Sequence, residues 1–293
     1  MLQPGLPPGR AENENGSSGG RNGPDTDSSW RGQAMKLMVS GKGGSGKSTV
    51  AALLAKQYVK DKKRVVVVDA DVSTVLGPHR LLGTEIPDDL IGYFSGEKIV
   101  REKLKASRQA DTPQDAPVFG TWTYDTVPAG YGSIKDGIQL VTIGKLRDAT
   151  ISCKSPWMGL ARQFILGMHL AENERLIVDA EAGIEHFGRG IDSVCDVNLM
   201  VVDPTYESIR LAERASEMAG NVKIPLYFVL NKTNERTSKT LRHVITDKSR
   251  IIGEIPHDPV LLGAGLGGRA LPDSCPPAAA ILKILEERRG VPS

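Results

Sequence analysis

Two lysines, a serine and a set of glycines stand at fixed intervals in Met38-Val-Ser-Gly-Lys-Gly-Gly-Ser-Gly-Lys-Ser-Thr49. Gly41, Gly46, Lys47 and Ser48 satisfy G-x-x-x-x-G-K-[ST]. In that pattern backbone N–H groups turn inward around phosphate oxygens, the lysine reaches the terminal phosphates and the hydroxyl holds Mg2+. Gly43, Gly44, Ser45, Gly46, Lys47, Ser48 and Thr49 are therefore the expected lining for a nucleotide's phosphates. Two elements must position them. The apolar run Leu37-Met38-Val39 supplies a strand before the loop. Val50-Ala-Ala-Leu-Leu-Ala55 supplies a helix after it, whose positive N-terminal end faces the same anion.

Carboxylates recur at the ends of apolar runs. Arg64-Val-Val-Val-Val-Asp69 is a continuous β-branched run of the kind buried on both faces of a parallel sheet, and Arg175-Leu-Ile-Val-Asp179 repeats the pattern. Ligands of parallel sheets gather at the carboxyl ends of the strands, so Asp69, Asp71 and Asp179 are expected beside the phosphates. A solvated turn with two chance aspartates is the plain alternative for Asp69-Ala-Asp71. Further strands at 137–143, 197–202, 225–230 and 251–255 alternate with helical patterns at 158–170, 206–218 and 278–287. The expected fold is α/β: a doubly wound, mostly parallel sheet with helices on both faces.

The chain has 293 residues, which suits one α/β domain over 35–293. Residues 1–34 hold almost no apolar side chain and cannot offset the entropy of ordering, so they are expected to be a disordered leader. No apolar core follows their arginines, unlike a secretory signal. Met35 leaves two readings of the leader, a start-site artefact or a tail added to a complete domain. The stretch 106–133, rich in Pro, Gly, Asp and Thr, reads as an insertion, either partner-binding or a variable surface excursion. A net charge of +2 without basic clusters among aromatics gives no nucleic-acid footprint, and no apolar run approaches a membrane span. Three scattered cysteines, Cys153, Cys195 and Cys275, suit a reducing cytoplasm.

Lys42, inside Gly41-Lys42-Gly43-Gly44, makes the loop resemble that of the deviant P-loop ATPases, the family of MinD, ParA and the nitrogenase iron protein. The resemblance implies ATP and Mg2+ as cofactors, and a homodimer in which Lys42 crosses to the partner's nucleotide and acts as an arginine finger does. A solvated loop lysine is the plainer reading. By the same resemblance Lys42, Lys47 and Asp71 are the catalytic group, with Asp71 orienting the attacking water. Ser48, Asp69 and Asp179 are the magnesium group, and Gly183 frees its N–H to sense a γ-phosphate. Asn231 is implied at the adenine, next to Lys232, and Pro256 begins the loop bordering the base. Asn234 stands where a guanine reader would carry an acid.

Gly144-Lys145, a short loop and Cys153-Lys-Ser-Pro156 before a helix, together with Glu181-Ala-Gly-Ile-Glu-His-Phe-Gly-Arg-Gly190, resemble the CooC family of nickel-insertion ATPases. That family has Cys-x-Cys-Pro, and here Ser155 replaces the second cysteine. Paired Cys-x-Cys motifs would supply four thiolates, a closed tetrahedral set, whereas a dimer of this chain offers two. Cys153 stays open between a ligand for nickel or zinc at a dimer interface, a redox-active or interfacial thiol, and an incidental residue. His186 stays open between a metal or partner contact and a structural role. The resemblance implies an ATP-hydrolysing dimeric maturation factor for a client metalloenzyme such as a carbon monoxide dehydrogenase. The alternative is a MinD- or ParA-type switch acting through a protein partner without metal. The mixed charge of 279–289 does not suit membrane binding. An electron donor like the nitrogenase iron protein would need a second cysteine after Asp179.

Overall fold

The computed structural model describes residues 34–73, 77–109, 116–146, 154–184, 190–222 and 225–288. Cys153, His186 and the expected leader up to residue 33 lie outside them. The chain runs β1 (Met35–Gly41), α1 (Lys47–Lys60), β2 (Arg64–Asp69), two single-turn helices α2 (His79–Leu82) and α3 (Leu90–Tyr93), α4 (Glu97–Gln109), β3 (Ser133–Lys135), β4 (Ile138–Thr142) and α5 (Ser155–Gly167). It continues through β5 (Glu174–Asp179), β6 (Val197–Val202), α6 (Tyr206–Val222), β7 (Leu226–Thr233), α7 (Glu235–Val244), β8 (Ile251–Pro256), α8 (Pro259–Leu266) and α9 (Pro276–Arg288).

Among the described residues the strands form one eight-stranded sheet in the order β3-β4-β2-β5-β1-β6-β7-β8. Every pairing is parallel except β3 against β4. Successive valines of β2 point to opposite faces, as the two-residue period of a strand requires. Val65 and Val67 pack with Leu53 and Leu54 of α1 and Ile281 of α9. Val66 and Val68 pack with Leu160 and Phe164 of α5. Each of these four valines is 0 % exposed, and burial of such a side chain contributes about 1.5–3 kcal/mol. The expectation of a doubly wound, mostly parallel sheet is met.

Register fixes the site. Asp69 stands opposite Asp179, and Asp179 opposite Val39, so the last residues of β2 and β5 form one row beside the start of the loop after β1.

Two expectations change. The helix expected at 158–170 spans Ser155–Gly167. Pro156 lies in its first turn, where a fixed φ and a missing N–H suit helix initiation, so Ser155 is helical. The described residues of the stretch 106–133 have structure of their own: α4 continues to Gln109, and Phe119, Trp122 and Tyr124 are buried against α5. Trp122 N–H donates to Gly167 O at 2.8 Å, and His169 N–H donates to Trp122 O at 2.7 Å, stapling the segment to the end of that helix. Among the described residues no helix is long and apolar enough to cross a membrane.

Candidate nucleotide-binding site

The loop after β1 is held open by side chains from β7. Asn231 Nδ2 donates to Ser45 O at 2.7 Å, and Lys232 Nζ donates to Gly44 O at 2.6 Å. Gly46, the residue before α1, has φ 100°, and a Cβ there would stand 2.2 Å from Asn231 Nδ2. Glycine is required at that position on both counts. Asn231, which the resemblance puts at the adenine, is 4 % exposed, with its amide nitrogen committed to the loop's backbone. Gly43 and Gly44 are exposed, Ser45 and Lys47 buried, and Ser48 and Thr49 half-buried in the first turn of α1. Pro256 is exposed at the end of β8, and His257 N–H donates to Thr233 O at 2.7 Å, tying that loop to β7.

Both signature lysines rest on their own subunit. Lys47 Nζ lies 3.3 Å from Lys42 O, folded across the loop. Lys42 Nζ lies 3.7 Å from Asp203 Oδ2, just past β6.

Asp69 and Asp179 are 2 % and 1 % exposed, and Oδ1 of each has no partner among the described residues. Burial raises the Asp179 carboxyl to about 7, opposed by the Ser48 hydroxyl, reinforced by neighbouring Asp69 and opposed again by Lys47. Burial also raises Asp69, against the pull of Lys145, whose Nζ sits 2.7 Å from Asp69 Oδ2. Two buried carboxylates with bare oxygens beside a serine hydroxyl fit a hard divalent cation. Among the described residues no group of three or more His, Cys, Asp or Glu is arranged around a metal position. Magnesium takes one or two carboxylates and completes its shell with water and phosphate. Asp71 is half-buried, with Oδ1 accepting from Ser73 N–H at 3.0 Å.

On the opposite side Gly183 N–H donates to Gly41 O at 3.2 Å, so the amide expected to sense a γ-phosphate already has an acceptor. Glu181, two residues after Asp179, pairs with Lys154 and with Ser73 Oγ. The structure thus brings Lys42, Lys47, Ser48, Asp69, Asp71, Asp179 and Asn231 to one edge of the sheet.

Residues 36–268 match the family described as the CobQ/CobB/MinD/ParA nucleotide binding domain. The chain belongs to this family. Membership makes it an ATP-binding protein of the MinD/ParA class and implies Mg2+ with the nucleotide. An uncharacterised ATP-binding protein of Methanocaldococcus jannaschii is 39 % identical over 238 residues, 81 % of this chain and 94 % of that one. The carbon monoxide dehydrogenase accessory protein CooC of Rhodospirillum rubrum is 28 % identical over 261 residues, 87 % of this chain and 98 % of that one. Among solved structures, a chain of the MinC:MinD cell division protein complex of Aquifex aeolicus aligns with a TM-score of 0.57 at 22 % identity, covering 87 % of this chain and 95 % of that one. That likeness is one of fold.

Four contributors to this MinD/ParA-type site escape sequence reasoning: Asp203, Asn198, Lys145 and Lys154. Asn198 is 0 % exposed and accepts from Ser40 Oγ at 2.7 Å, bracing β1 just ahead of the loop. Lys145 precedes the cysteine motif and Lys154 lies within it, but no spacing rule ties them to carboxylates far away in the chain.

Proposed function

We propose that the protein is an ATP-hydrolysing, dimeric maturation factor whose nucleotide cycle serves a client metalloenzyme such as a carbon monoxide dehydrogenase, and that residues 35–293 act as one domain. The observation that carries the ATPase part is the pair of buried, bare carboxylate oxygens of Asp69 and Asp179 beside Ser48 at the mouth of the loop. Similarity to CooC over most of the chain supports the maturation part. In this reading Gly43 to Thr49 cradle the phosphates, and Lys47 leaves Lys42 O for the terminal phosphate oxygens. Asp71 orients the attacking water. Magnesium, held by Ser48, Asp69 and Asp179, supplies charge neutralisation at the transferring phosphoryl group. Lys42 leaves Asp203 and reaches the partner subunit's nucleotide, so closure of the dimer completes the catalytic set. Asn231, Lys232 and Pro256 line the base side of the site.

Phosphate release from Mg2+-ATP tests hydrolysis, with Asp71→Asn expected to lower turnover by about 10- to 100-fold at unchanged ATP affinity, within the range of general acid–base contributions. Wild-type-like turnover in that variant would remove Asp71 from the mechanism. Anaerobic binding of Ni2+ and Zn2+ to the reduced protein, with ADP and with a non-hydrolysable ATP analogue, tests the cargo. Metal that requires Cys153 and responds to nucleotide supports a two-thiolate site. Ser155 in place of a second cysteine favours the second reading, a MinD- or ParA-type switch acting through a protein partner. No bound metal, alongside ATP-driven dimerisation, would select it.

A further inference from the structure

Helix α4 turns its apolar side inward and leaves a row of cations outside. Val100 is 0 % exposed, and Leu104 and Ser107, one and two turns on, are half-buried on the same side. A Cβ at Gly159 would stand 2.6 Å from Leu104 Cδ1, so α5 passes close beneath the leucine through a glycine and holds α4 along its inner side. Away from that side Lys98, Arg101, Lys105 and Arg108 are all exposed. Their spacing of three, four and three residues keeps them within about 80° of the helix circumference and spreads them over about 15 Å of its length. Arg101 pairs with Glu97 one turn back, while Lys98, Lys105 and Arg108 have no ion-pair partner among the described residues. Lys103, the fifth cation of α4, lies on the other flank, with Nζ 5.6 Å from the ring centre of Phe94 and 5.7 Å from that of Phe119. Five cations against Glu97 and Glu102 give this one helix a larger positive surplus than the whole chain, whose net charge is +2.

Like charges three and four residues apart repel along a helix, so the row carries a repulsion that opposite charge from outside relieves. An anionic membrane would need apolar side chains beside the cations to enter the headgroup layer. Here the apolar side of α4 faces α5, and Ile99, 37 % exposed, is the one exposed large hydrophobic residue of the helix. A nucleic-acid duplex carries about one charge per 1.7 Å, far denser than four cations over about 15 Å, and Glu102 beside the row would face its phosphates. A 3-4-3 row is the line that one helix presents to another lying alongside it. We propose that the outer face of α4 docks an acidic helix of a partner protein, one carrying Asp or Glu at the same 3-4-3 spacing. Neither nucleotide nor metal enters this surface, so it stands or falls apart from the function proposed above.

The test is a titration of the full chain followed by its backbone amide NMR signals, which register weak docking residue by residue. The probes are a helical Ala/Gln peptide with four Glu at 3-4-3 spacing and a second peptide of the same composition with its four Glu spread around the helix. The first is expected to shift amides of residues 97–109 and to bind at least about fivefold more tightly than the second. Raising the ionic strength from about 20 mM to about 300 mM should weaken it severalfold, because exposed charges are screened. Combining Lys98→Gln, Lys105→Gln and Arg108→Gln should weaken binding by about fivefold or more, the sum of three exposed pairs. The charge-matched set Arg236→Gln, Lys239→Gln and Lys283→Gln, on α7 and α9, should bind as wild type does. If the triple change on α4 lowers the melting temperature, Lys105→Gln and Lys98→Gln are read singly, each with a smaller loss of the same sign. Equal binding of the two peptides, shifts that avoid α4, no shift with either peptide, or wild-type affinity in the α4 variants overturns the proposal. Tighter binding at α4 by duplex DNA, or by phosphatidylcholine vesicles containing phosphatidylserine, would overturn it in favour of that other surface.

Discussion

Lys42 and Asp203 form an ion pair within one subunit, with side chains 28 % and 9 % exposed. In the proposed cycle this pair must break before the lysine reaches across a dimer. Partly exposed pairs are worth about 0–1 kcal/mol, so it holds the lysine back only lightly. Asp203→Asn keeps an acceptor for Thr205 Oγ1, which donates to Asp203 Oδ1 at 2.9 Å, and removes the charge. It is expected to lower the protein concentration for ATP-driven dimerisation by up to about fivefold in sedimentation velocity. An unchanged midpoint would show the pair idle. Gly46 makes a stricter demand. Gly46→Ala places a side chain at φ 100° and against Asn231 Nδ2, and it should lose about 1–3 kcal/mol of unfolding free energy together with nucleotide binding. Gly43→Ala is the contrast for stability, since a Cβ there meets nothing nearer than Ala182 Cβ at 3.8 Å. Equal melting temperatures for the two variants would refute the strain argument. The grouping of the glycines, Lys47, Ser48 and the three aspartates at one sheet edge was legible because one local spacing rule and one sheet-edge rule cover them. Asp203, Lys145 and Lys154 were not, because they act through contacts between residues distant in the chain.

At the scale of elements, the stretch 106–133 shows how composition misleads. Its Pro, Gly, Asp and Thr suggest a free excursion, and the scattered aromatics carry no period that would announce burial. Yet Trp122 is 7 % exposed, its ring 5.7 Å from that of Phe164, and its backbone is hydrogen-bonded on both sides to the end of α5. Trp122→Ala is expected to destabilise the protein by about 3–5 kcal/mol in urea unfolding, the range for emptying a large aromatic site. A loss below about 1 kcal/mol would mean that the segment only lies on the surface. The start of α5 was misplaced for a different reason. Lys154 and Ser155 have no helical periodicity of their own, and only Pro156 marks the first turn.

The whole molecule was legible where burial makes sequence monotonous. β6 falls on the residues expected, and β2 likewise, because strands covered on both faces become continuous apolar runs. Strand order was not legible: β5 inserts between β2 and β1, a pairing of residues more than a hundred positions apart. That insertion sets Asp69 against Asp179, so the carboxylate pair proposed to face magnesium is a product of topology. Magnesium should therefore stabilise the fold through its ligands. ATP at about 100 times its dissociation constant with Mg2+ is expected to add about 2.7 kcal/mol and raise the melting temperature by about 5 °C or more, with most of the shift lost in EDTA. A shift of equal size in EDTA would place the nucleotide's grip outside the carboxylate row.

The Gly183 amide carries a consequence in time. It already donates to Gly41 O, so in the proposed cycle a γ-phosphate does not recruit an idle donor but takes one over from a carbonyl. Telling ATP from ADP then depends on the difference between two acceptors, each able to satisfy the same proton. Between them lies an interval in which the amide is open to solvent, and hydrogen exchange at that single residue would report the frequency of the exchange directly: a slow proton at rest, a slow proton in the ATP-bound state, and a fast one only while the protein is turning over.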